Sequence, residues 1–374
     1  MTAPDKPDTT IKILVVDDSA FMRKAISMML ESDPGIKVVG TARDGEEGVE
    51  KVRLLKPDLV TMDIEMPRMD GLAALREIMA KNPVPVMMVS SLTTAGAQAT
   101  LEALDLGAVD FIPKQMSYVS LDIVKIKDEL IAKIKDIARR KHILMSRHIQ
   151  RQFAQIARPS ADTAAAQSSW VMSHTSFTPP IRKRQHQVGL IAIGSSTGGP
   201  PALQAVITKL PRNLPVGILI AQHMPPMFTK SLAERLNSLS TLTVREAQDG
   251  DNVEAGLVLI APGGKQMTVK RRGGVAYVSV SDEPSNTLYK PCVDVMLNSV
   301  AEEYGVTTMG VVLTGMGNNG VVGMRLIKTK GGIVIAQDEQ TCVVYGMPRS
   351  VIEAGIADHI APIDSIAAEI TSYF

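Results

Sequence analysis

The segment 191–200, IAIGSSTGGP, places a serine where an apolar run ends and a helix-like stretch begins. Its G-x-S-x-G string is centred on Ser196. In hydrolases this string marks a nucleophilic serine on a tight strand-to-helix turn, where backbone N–H groups and the helix dipole face developing negative charge. A phosphate-binding loop needs a lysine directly after its glycines, and the first lysine here is Lys209. The segment therefore favours a nucleophile, with Ser195 and Thr197 as structural neighbours.

A serine nucleophile needs a base, and His223 is the best-placed histidine for that role. It directly follows the apolar run at 217–222, which is the next predicted strand after the serine turn. The other five lie on or just past a long predicted helix, in a linker or in a C-terminal loop (His142, His148, His174, His186 and His359). A single histidine is more often structural, but one at a rigid strand end can act as a general base. We therefore predict that His223 serves Ser196.

A second group of reactive side chains follows the apolar runs of the first half. The group consists of acids after the first and third runs, a serine at the end of the fourth and a lysine after the fifth (Asp17, Asp18, Asp63, Ser90 and Lys114). The carboxyl ends of parallel strands meet in one crevice, so these side chains should lie together. Three carboxylates repel each other unless a hard cation such as Mg²⁺ neutralises them. Taken singly, an acid at a strand end is as well explained as a helix cap.

Two sets of alternating elements must position these residues. The runs IKILVV, IKVVG, PDLVTMD, VPVMMVS and AVDFI alternate with helix-period stretches and predict a five-stranded parallel sheet with helices on both faces. The runs VGLIAIG, PVGILIAQ, GLVLIAP, TTMGVVLTG and GGIVIAQD predict a second, doubly wound and mainly parallel sheet. Both halves are therefore expected to have an α/β fold.

The 374 residues are too many for one ordinary domain core. We expect a first domain over 11–132 and a second over 188–374. The intervening 133–187 should hold the end of a long helix, predicted over 121–144, and then a flexible linker rich in Ser, Ala, Thr and Pro.

Composition excludes several classes of function. The net charge of +1 and the 3% of aromatic residues argue against nucleic-acid binding. Two cysteines, Cys292 and Cys342, lack metal-ligand spacing and are too few for a disulfide framework. The polar start and the lack of an apolar run of about 18 residues predict a cytoplasmic protein without direct membrane insertion.

Residues 11–132 resemble the receiver domains of two-component response regulators, which have a flavodoxin-like fold. The resemblance implies that Asp63 accepts a phosphoryl group from a histidine kinase. It also implies that Asp17, Asp18 and Asp63 hold Mg²⁺ with a backbone carbonyl near Glu65, and that three residues act as the switch (Ser90, Lys114 and Phe111).

One feature of the first half departs from the receiver pattern. Receivers usually have a proline directly after the lysine, whereas Gln115 follows Lys114 here and Pro113 precedes it. The local backbone around Lys114 is therefore not predicted by the resemblance.

Residues 188–370 resemble the catalytic domain of the chemotaxis protein-glutamate methylesterases, the CheB family. The matching segments include IGSSTGG, AQHMPPMFTKSLAERLN, KPCVDVMLNSVA and VVLTGMGNNGVVGM. The resemblance implies hydrolysis of glutamate γ-methyl esters, and deamidation of certain glutamines, on methyl-accepting chemotaxis receptors. Ser196 would be the nucleophile, His223 the base, and the backbone N–H of Met316 an oxyanion donor. No cofactor is expected for the esterase, and we expect a monomer.

The family motif TGMGNDG ends in an aspartate that orients the histidine, and this chain has Asn319 there. An asparagine carbonyl can accept a hydrogen bond from the imidazole Nδ1–H but cannot stabilise the imidazolium by charge. Three alternatives remain: slow esterolysis, replacement by a nearby acid such as Asp338, or a catalytically inactive binding module controlled by the receiver. We expect a working but weakened esterase. A DNA-binding response regulator is disfavoured, since the second half has no basic recognition helix.

Overall fold

The computed structural model describes residues 10–114, 122–146 and 187–374. The first part contains a five-stranded sheet with the order β2-β1-β3-β4-β5, in which all pairs are parallel. The strands are β1 (Ile11–Val16), β2 (Ile36–Ala42), β3 (Leu59–Asp63), β4 (Val86–Ser90) and β5 (Asp110–Pro113). The helices are α1 (Ala20–Glu31), α2 (Gly45–Leu55), α3 (Gly71–Lys81), α4 (Thr94–Asp105) and α5 (Asp122–Arg139), followed by helical residues 141–146 (α6). This order confirms the predicted flavodoxin-like topology.

Strand composition explains why this sheet is covered on both faces. Every residue of β3 and β4 is buried, so these strands are continuous rather than alternating apolar runs. Four polar side chains begin the first four helices by accepting a backbone N–H three residues further on (Ser19, Asp44, Asp70 and Thr93). The strands therefore end, and the helices begin, at one edge of the sheet.

Helix α5 differs from the predicted single helix over 121–144. It ends at Arg139, and its side chains Leu130, Ile134 and Ile137 are buried at helical spacing. The expected domain boundary between 132 and 133 falls inside this helix. No helix among the described residues is both long and apolar enough to cross a membrane.

The second part contains a seven-stranded parallel sheet with the order β14-β13-β12-β6-β7-β9-β8 and a separate antiparallel hairpin, β10-β11. Its strands are β6 (Leu190–Ser195), β7 (Gly217–Gln222), β8 (Thr243–Glu246), β9 (Leu257–Ile260), β10 (Gln266–Arg272), β11 (Val275–Ser281), β12 (Thr308–Val312), β13 (Ile333–Gln337) and β14 (His359–Ala361). Its helices are α7 (Gly199–Ile207), α8 (Phe228–Leu239), α9 (Val293–Tyr304), α10 (Val321–Thr329), α11 (Met347–Glu353) and α12 (Ile363–Thr371). The predicted mainly parallel α/β fold is confirmed, and the hairpin is an addition to it.

The two parts pack against each other through α4, through β5 and through Arg140, the residue after α5, which pairs with Glu339. Phe111 of β5 stacks on Phe228 of α8, with ring centroids 4.6 Å apart and an interplanar angle of 11°. Asp105, at the end of α4, forms an ion pair with Arg235 of α8. Helix α4 also packs against α7, which begins at the serine turn. The first part therefore lies close to the elements that carry Ser196 and His223.

Candidate active site and phosphorylation site

Strand register brings Ser196 and His223 together. The adjacent strands β6 and β7 pair in parallel up to Ser195 and Gln222, so Ser196 and His223 are the next residues at the same edge. The backbone N–H of His223 donates to the carbonyl of Ser195 at 3.1 Å. Both predicted residues thus occupy the carboxyl ends of neighbouring central strands, where ligands bind in open α/β sheets.

Gln222, which no sequence motif marks, holds Ser196 and His223 in place. Its side-chain N–H donates to the carbonyl of Ser196 at 2.9 Å and to that of His223 at 3.1 Å. Its Oε1 accepts the buried hydroxyl of Ser195 at 2.6 Å. The hydroxyl of Ser195 therefore bonds to Gln222. In the sequence, the only signal for Gln222 is its position directly before the histidine.

The serine turn requires its glycines. Gly198 has a φ of +73°, a region that side chains rarely adopt. A Cβ on Gly199 would come within 1.9 Å of Oε1 of Gln222. Ser196 is the one residue of 191–200 that is not fully buried. The turn therefore leads Ser196 toward the crevice while its neighbours pack inside.

A loop after β12 supplies the third side of the site. A Cβ on Gly315 would lie 2.9 Å from Cβ of Ser196, so this loop passes directly beside the serine. Within the described residues the backbone N–H of Met316 donates no hydrogen bond, and the buried hydroxyl of Thr197 has no partner. Each of the two segments that adjoin Ser196 therefore contains one donor without a partner among the described residues.

The hydrogen bonds of His223 define which ring nitrogen can act as a base. Oδ1 of Asn319 lies 2.9 Å from Nε2 of His223 and accepts the backbone N–H of Val293 at 2.8 Å. Because Oδ1 is an acceptor, Nε2 must carry the proton. Nδ1 is buried and has no partner among the described residues, so it is free to accept a proton. From the sequence, Asn319 is expected to bond Nδ1 of His223, but the imidazole ring is turned so that Nε2 faces Asn319.

Burial is the main reason that His223 stays neutral. Tyr289 stacks on the imidazole, with centroids 4.0 Å apart and an interplanar angle of 12°. Burial lowers the pKa of His223 to about 4; the hydrogen bond that His223 donates to Asn319 opposes this shift, and the charge of Lys133 on α5 adds to it. A neutral imidazole is the form that can accept a proton from a serine. Nothing in the sequence near His223 indicated Tyr289, which is 66 residues away.

An acid in contact with Asn319 is Asp294, whose Oδ2 accepts the Asn319 side-chain N–H at 2.9 Å. Asp338, considered from the sequence as a substitute acid, accepts the N–H of Thr341 at 3.0 Å and its hydroxyl at 2.5 Å. In the described part of the chain Asp338 makes no hydrogen bond with His223. Asp294 was not identified from the sequence, because it lies one residue inside an ordinary helix.

The acids predicted to hold a cation meet at the edge of the first sheet. Carboxylate oxygens of Asp17, Asp18 and Asp63 lie within 4.8 Å of one another. Lys114 Nζ is 2.5 Å from Oδ2 of Asp63 and 3.5 Å from Oδ2 of Asp17. Burial raises the pKa of Asp63 to about 6 although Lys114 opposes the shift, and burial also raises the pKa of Asp17. The buried Oδ2 of Asp17 accepts no hydrogen bond and has only the ion pair with Lys114, so it is available as a ligand for a hard cation such as Mg²⁺.

The predicted switch residues occupy three different surroundings. Lys114 lies at the carboxylates, and its backbone N–H donates to the carbonyl of Ser90 at 2.6 Å. The hydroxyl of Ser90 donates to the carbonyl of Gly96 of α4 at 3.1 Å and accepts from Thr100 at 2.7 Å. Phe111 is buried against Phe228 of the second part. Gln115 lies outside the described residues.

Comparison with known proteins identifies related families for both parts of the chain. The family model described as CheB methylesterase matches residues 191–370, and that described as response regulator receiver domain matches residues 13–123. The chain is 51% identical over 368 residues to protein-glutamate methylesterase/protein-glutamine glutaminase 1 of Oleidesulfovibrio alaskensis, covering 96% of this chain and 98% of the relative. It is 45% identical to the protein-glutamate methylesterase/protein-glutamine glutaminase of Pyrococcus abyssi, covering 95% and 91%.

Solved structures match each part separately. The catalytic domain of Thermotoga maritima CheB methylesterase is 45% identical, with a TM-score of 0.49 over 50% of this chain and all of that one. The response regulator domain of Thermotoga maritima CheB is 52% identical, with a TM-score of 0.32 over 35% and 97%. From its nearly full-length similarity to the curated relatives and its two matching domains, the chain belongs to the CheB family of protein-glutamate methylesterases/protein-glutamine glutaminases.

Proposed function

We propose that this protein hydrolyses glutamate γ-methyl esters, and deamidates glutamines, on methyl-accepting chemotaxis receptors. A histidine kinase controls the reaction by phosphorylating the receiver. The observation that carries the proposal is that Ser196 and His223 lie at the ends of adjacent strands, next to the loop that contains the unpaired N–H of Met316. The direct test is methanol release from methylated receptor by the full-length protein, with and without a phosphoryl donor.

The site chemistry follows from the unpaired Nδ1 of His223. Nδ1 takes the hydroxyl proton as Ser196 Oγ attacks the ester carbonyl. The N–H of Met316 and the hydroxyl of Thr197 donate to the tetrahedral oxyanion, and one such donor contributes about 3 kcal/mol. The same proton passes to the departing methoxide, which leaves as methanol. Water then hydrolyses the glutamyl ester of Ser196, again with His223 as base.

Glutamine deamidation uses the same residues with a different leaving group. The proton on His223 passes to the amide nitrogen, which leaves as ammonia, and both substrates give the same glutamyl ester of Ser196. The product is a glutamate side chain in both cases. One site therefore accounts for the two activities in the names of the relatives.

In our proposal, Asn319 makes this reaction slower than a triad aspartate would but does not abolish it. In a serine protease, exchange of the triad aspartate for asparagine lowers kcat about 10⁴-fold, largely because the histidine adopts the wrong tautomer. Here Oδ1 of Asn319 still accepts from Nε2 of His223. The tautomer is therefore retained, and only the charge beside the imidazolium is lost. The alternative function, receptor binding without turnover, predicts no methanol release at all.

We propose Asp63 as the phosphoryl acceptor of the receiver. Asp17, Asp18 and Asp63 would hold Mg²⁺, which neutralises the charge of the incoming phosphoryl group. Lys114, already in contact with Asp63, would then bind a phosphoryl oxygen. Ser90 would change its hydrogen bond from Gly96 to the same group.

We propose that the unphosphorylated receiver restrains the esterase through the contacts described above. Phe111 joins a predicted switch position directly to Phe228, five residues after His223. Lys133 acts on His223 by its charge. Phosphorylation would shift the equilibrium toward an arrangement in which these contacts are broken and the crevice is open.

The ion pair between Asp105 and Arg235 offers a test of this restraint. We expect Arg235→Glu to raise basal methanol release about three- to tenfold, because charge repulsion replaces an ion pair worth up to about 1 kcal/mol. Adding Asp105→Arg should restore the low basal rate. Lys330→Glu, which reverses a surface charge paired with Glu302, is the control and should leave the rate unchanged. A basal rate in Arg235→Glu equal to the parent's would contradict the restraint.

The acid limb of the pH profile should report the same contact. His223 must be neutral to act, and its pKa of about 4 in the packed arrangement keeps it neutral down to low pH. Opening the domains exposes the ring and removes Lys133, so its pKa should rise toward 6.5. We therefore expect the acid limb of kcat/KM to lie at higher pH in Arg235→Glu than in the parent. If the acid limbs of the parent and of Arg235→Glu coincide, then burial by the receiver and the charge of Lys133 do not set the pKa of His223.

We also propose three segments: a receiver over 11–132, a linker within 133–187 and an esterase over 188–374. The last helix of the receiver, α5, extends past 132 to Arg139. We propose that the protein is a cytoplasmic monomer. Light scattering coupled to gel filtration, and cell fractionation, test the last two statements.

A further inference from the structure

Behind Asn319 lies a carboxylate to which the proposed reaction, on which this inference rests, assigns no role. Asp294 is half-buried in the first turn of α9. Its Oδ2 accepts the side-chain N–H of Asn319 at 2.9 Å, and its Oδ1 accepts the backbone N–H of Gly323 at 2.8 Å. The side chains of Asp294, Asn319 and His223 thus form a continuous hydrogen-bonded series that ends at the base.

A count of donors and acceptors gives this series one direction. Oδ1 of Asn319 accepts two N–H groups, from Val293 and from Nε2 of His223. Its Nδ2 donates to Asp294 and lies 3.2 Å from Sγ of Cys292. If the amide were reversed, Nδ2 would face the N–H of Val293, and Oδ1 would face a carboxylate. Two donors would then be opposed, and so would two acceptors, which is strongly unfavourable for partly buried groups.

We propose that Asp294 is a positioning residue that fixes the Asn319 amide and, through it, the proton on Nε2 of His223. Its two oxygens supply both acceptors that this arrangement needs, one for Gly323 and one for Asn319. With Nε2 protonated, Nδ1 keeps the lone pair that receives the proton of Ser196. Asp294 also provides the negative charge of the series, one residue further from the imidazole than a triad aspartate.

Asp294→Asn tests this role at constant size. The new amide has one acceptor for two N–H donors, so its NH₂ group faces either Gly323 or Asn319. In the second case it favours reversal of the Asn319 amide, which forces Nε2 of His223 to accept and moves the proton to Nδ1. We expect kcat to fall at least about tenfold, since the tautomer with Nδ1 protonated cannot act as base, with KM unchanged within about twofold.

Exchanging the two residues provides a rescue that a merely structural role does not predict. In Asp294→Asn with Asn319→Asp, the new amide at position 294 accepts from Gly323 and donates to the carboxylate at position 319, which accepts from Nε2. The correct tautomer returns, with a full negative charge next to the imidazole. We expect kcat of the double variant to exceed that of the parent. In Asn319→Asp alone the two carboxylates must share a proton, so we expect a smaller gain than in the double variant.

The direct readout is the protonation state of the His223 ring nitrogens, measured by ¹⁵N NMR on full-length histidine-labelled protein at neutral pH. The parent and the double variant should be protonated at Nε2, and Asp294→Asn should show protonation at Nδ1 in a substantial fraction. Asp364→Asn, which removes a first-turn aspartate from α12 in the same part of the protein, is the matched control. Thermal unfolding of each variant monitors folding.

Each outcome decides the proposal separately from the proposed function. A shift of the proton to Nδ1 in Asp294→Asn, reversed in the double variant, supports it even if no variant releases methanol, in which case only the proposed esterase fails. Protonation at Nε2 in every variant overturns it, whether or not kcat falls, because a fall would then be structural. If Asp294→Asn unfolds, the folded double variant decides instead. Protonation at Nδ1 in that variant, or a kcat below that of an active Asn319→Asp, overturns the proposal.

Discussion

Replacing Ser196 by alanine is expected to reduce methanol release by the full-length protein at least about 10²-fold. Ser196 Oγ is the atom that forms the glutamyl ester, and the hydroxyl of the neighbouring Ser195 cannot replace it, since that group is buried on Gln222. In a complete triad the loss is about 10⁶-fold. We expect a smaller ratio here because Asn319 already lowers the rate of the parent. The measurement is methanol release from methylated receptor under saturating substrate.

Ser195→Ala is the matched control for this result. It removes a hydroxyl from the adjacent residue. We expect it to lower methanol release less than about tenfold, because Gln222 would be less well oriented for its hydrogen bonds to Ser196 and His223. If Ser195→Ala lost more activity than Ser196→Ala, the nucleophile would be misassigned. Equal release by Ser196→Ala and a folded, phosphorylatable parent would favour the binding module without turnover.

Asp63→Asn is expected to abolish both phosphate incorporation and the stimulation of methanol release by a phosphoryl donor. The amide cannot attack phosphorus and cannot supply the carboxylate that Asp17 and Asp18 need to complete a cation site. Basal methanol release should stay near the parent's rate, because the contacts of Phe111 and Asp105 with the esterase are unchanged. Incorporation is measured with a radiolabelled small phosphoryl donor in the presence of Mg²⁺.

Asp33→Asn serves as the control for the receiver, since Asp33 pairs with Lys135 away from the cluster. It should incorporate phosphate and respond to the donor as the parent does. Incorporation that persists in Asp63→Asn would move the acceptor to another carboxylate. Stimulation without incorporation would show that the donor acts on the esterase by another route.

Local sequence was sufficient for the positions of Ser196 and His223. Each follows an apolar run, and the end of a buried parallel strand can be recognised from the turn residues beside it. The same reasoning located the acids and the lysine of the first sheet. Such signals are local because they depend on strand ends, which the chain encodes within a few residues.

The groups that support these residues could not be predicted in the same way. Tyr289 lies in a loop before α9 and has no sequence pattern that points to His223. In the sequence, Asp294 is an ordinary acidic residue in the first turn of a helix, where a negative charge is favourable without any further partner. Their contacts with His223 and Asn319 exist because α9 packs beside β6, which is a property of the packed sheet and not of any segment.

The sequence by itself determined two α/β units, the end of each strand that carries a reactive side chain, and the loss of the aspartate at 319. Only the tertiary structure decided which nitrogen of His223 is free, which acid stands behind Asn319, and that Phe111 contacts Phe228. Strand ends follow from local composition, whereas these three features depend on the distances and directions of side chains from separate elements. Those distances are fixed when the elements pack.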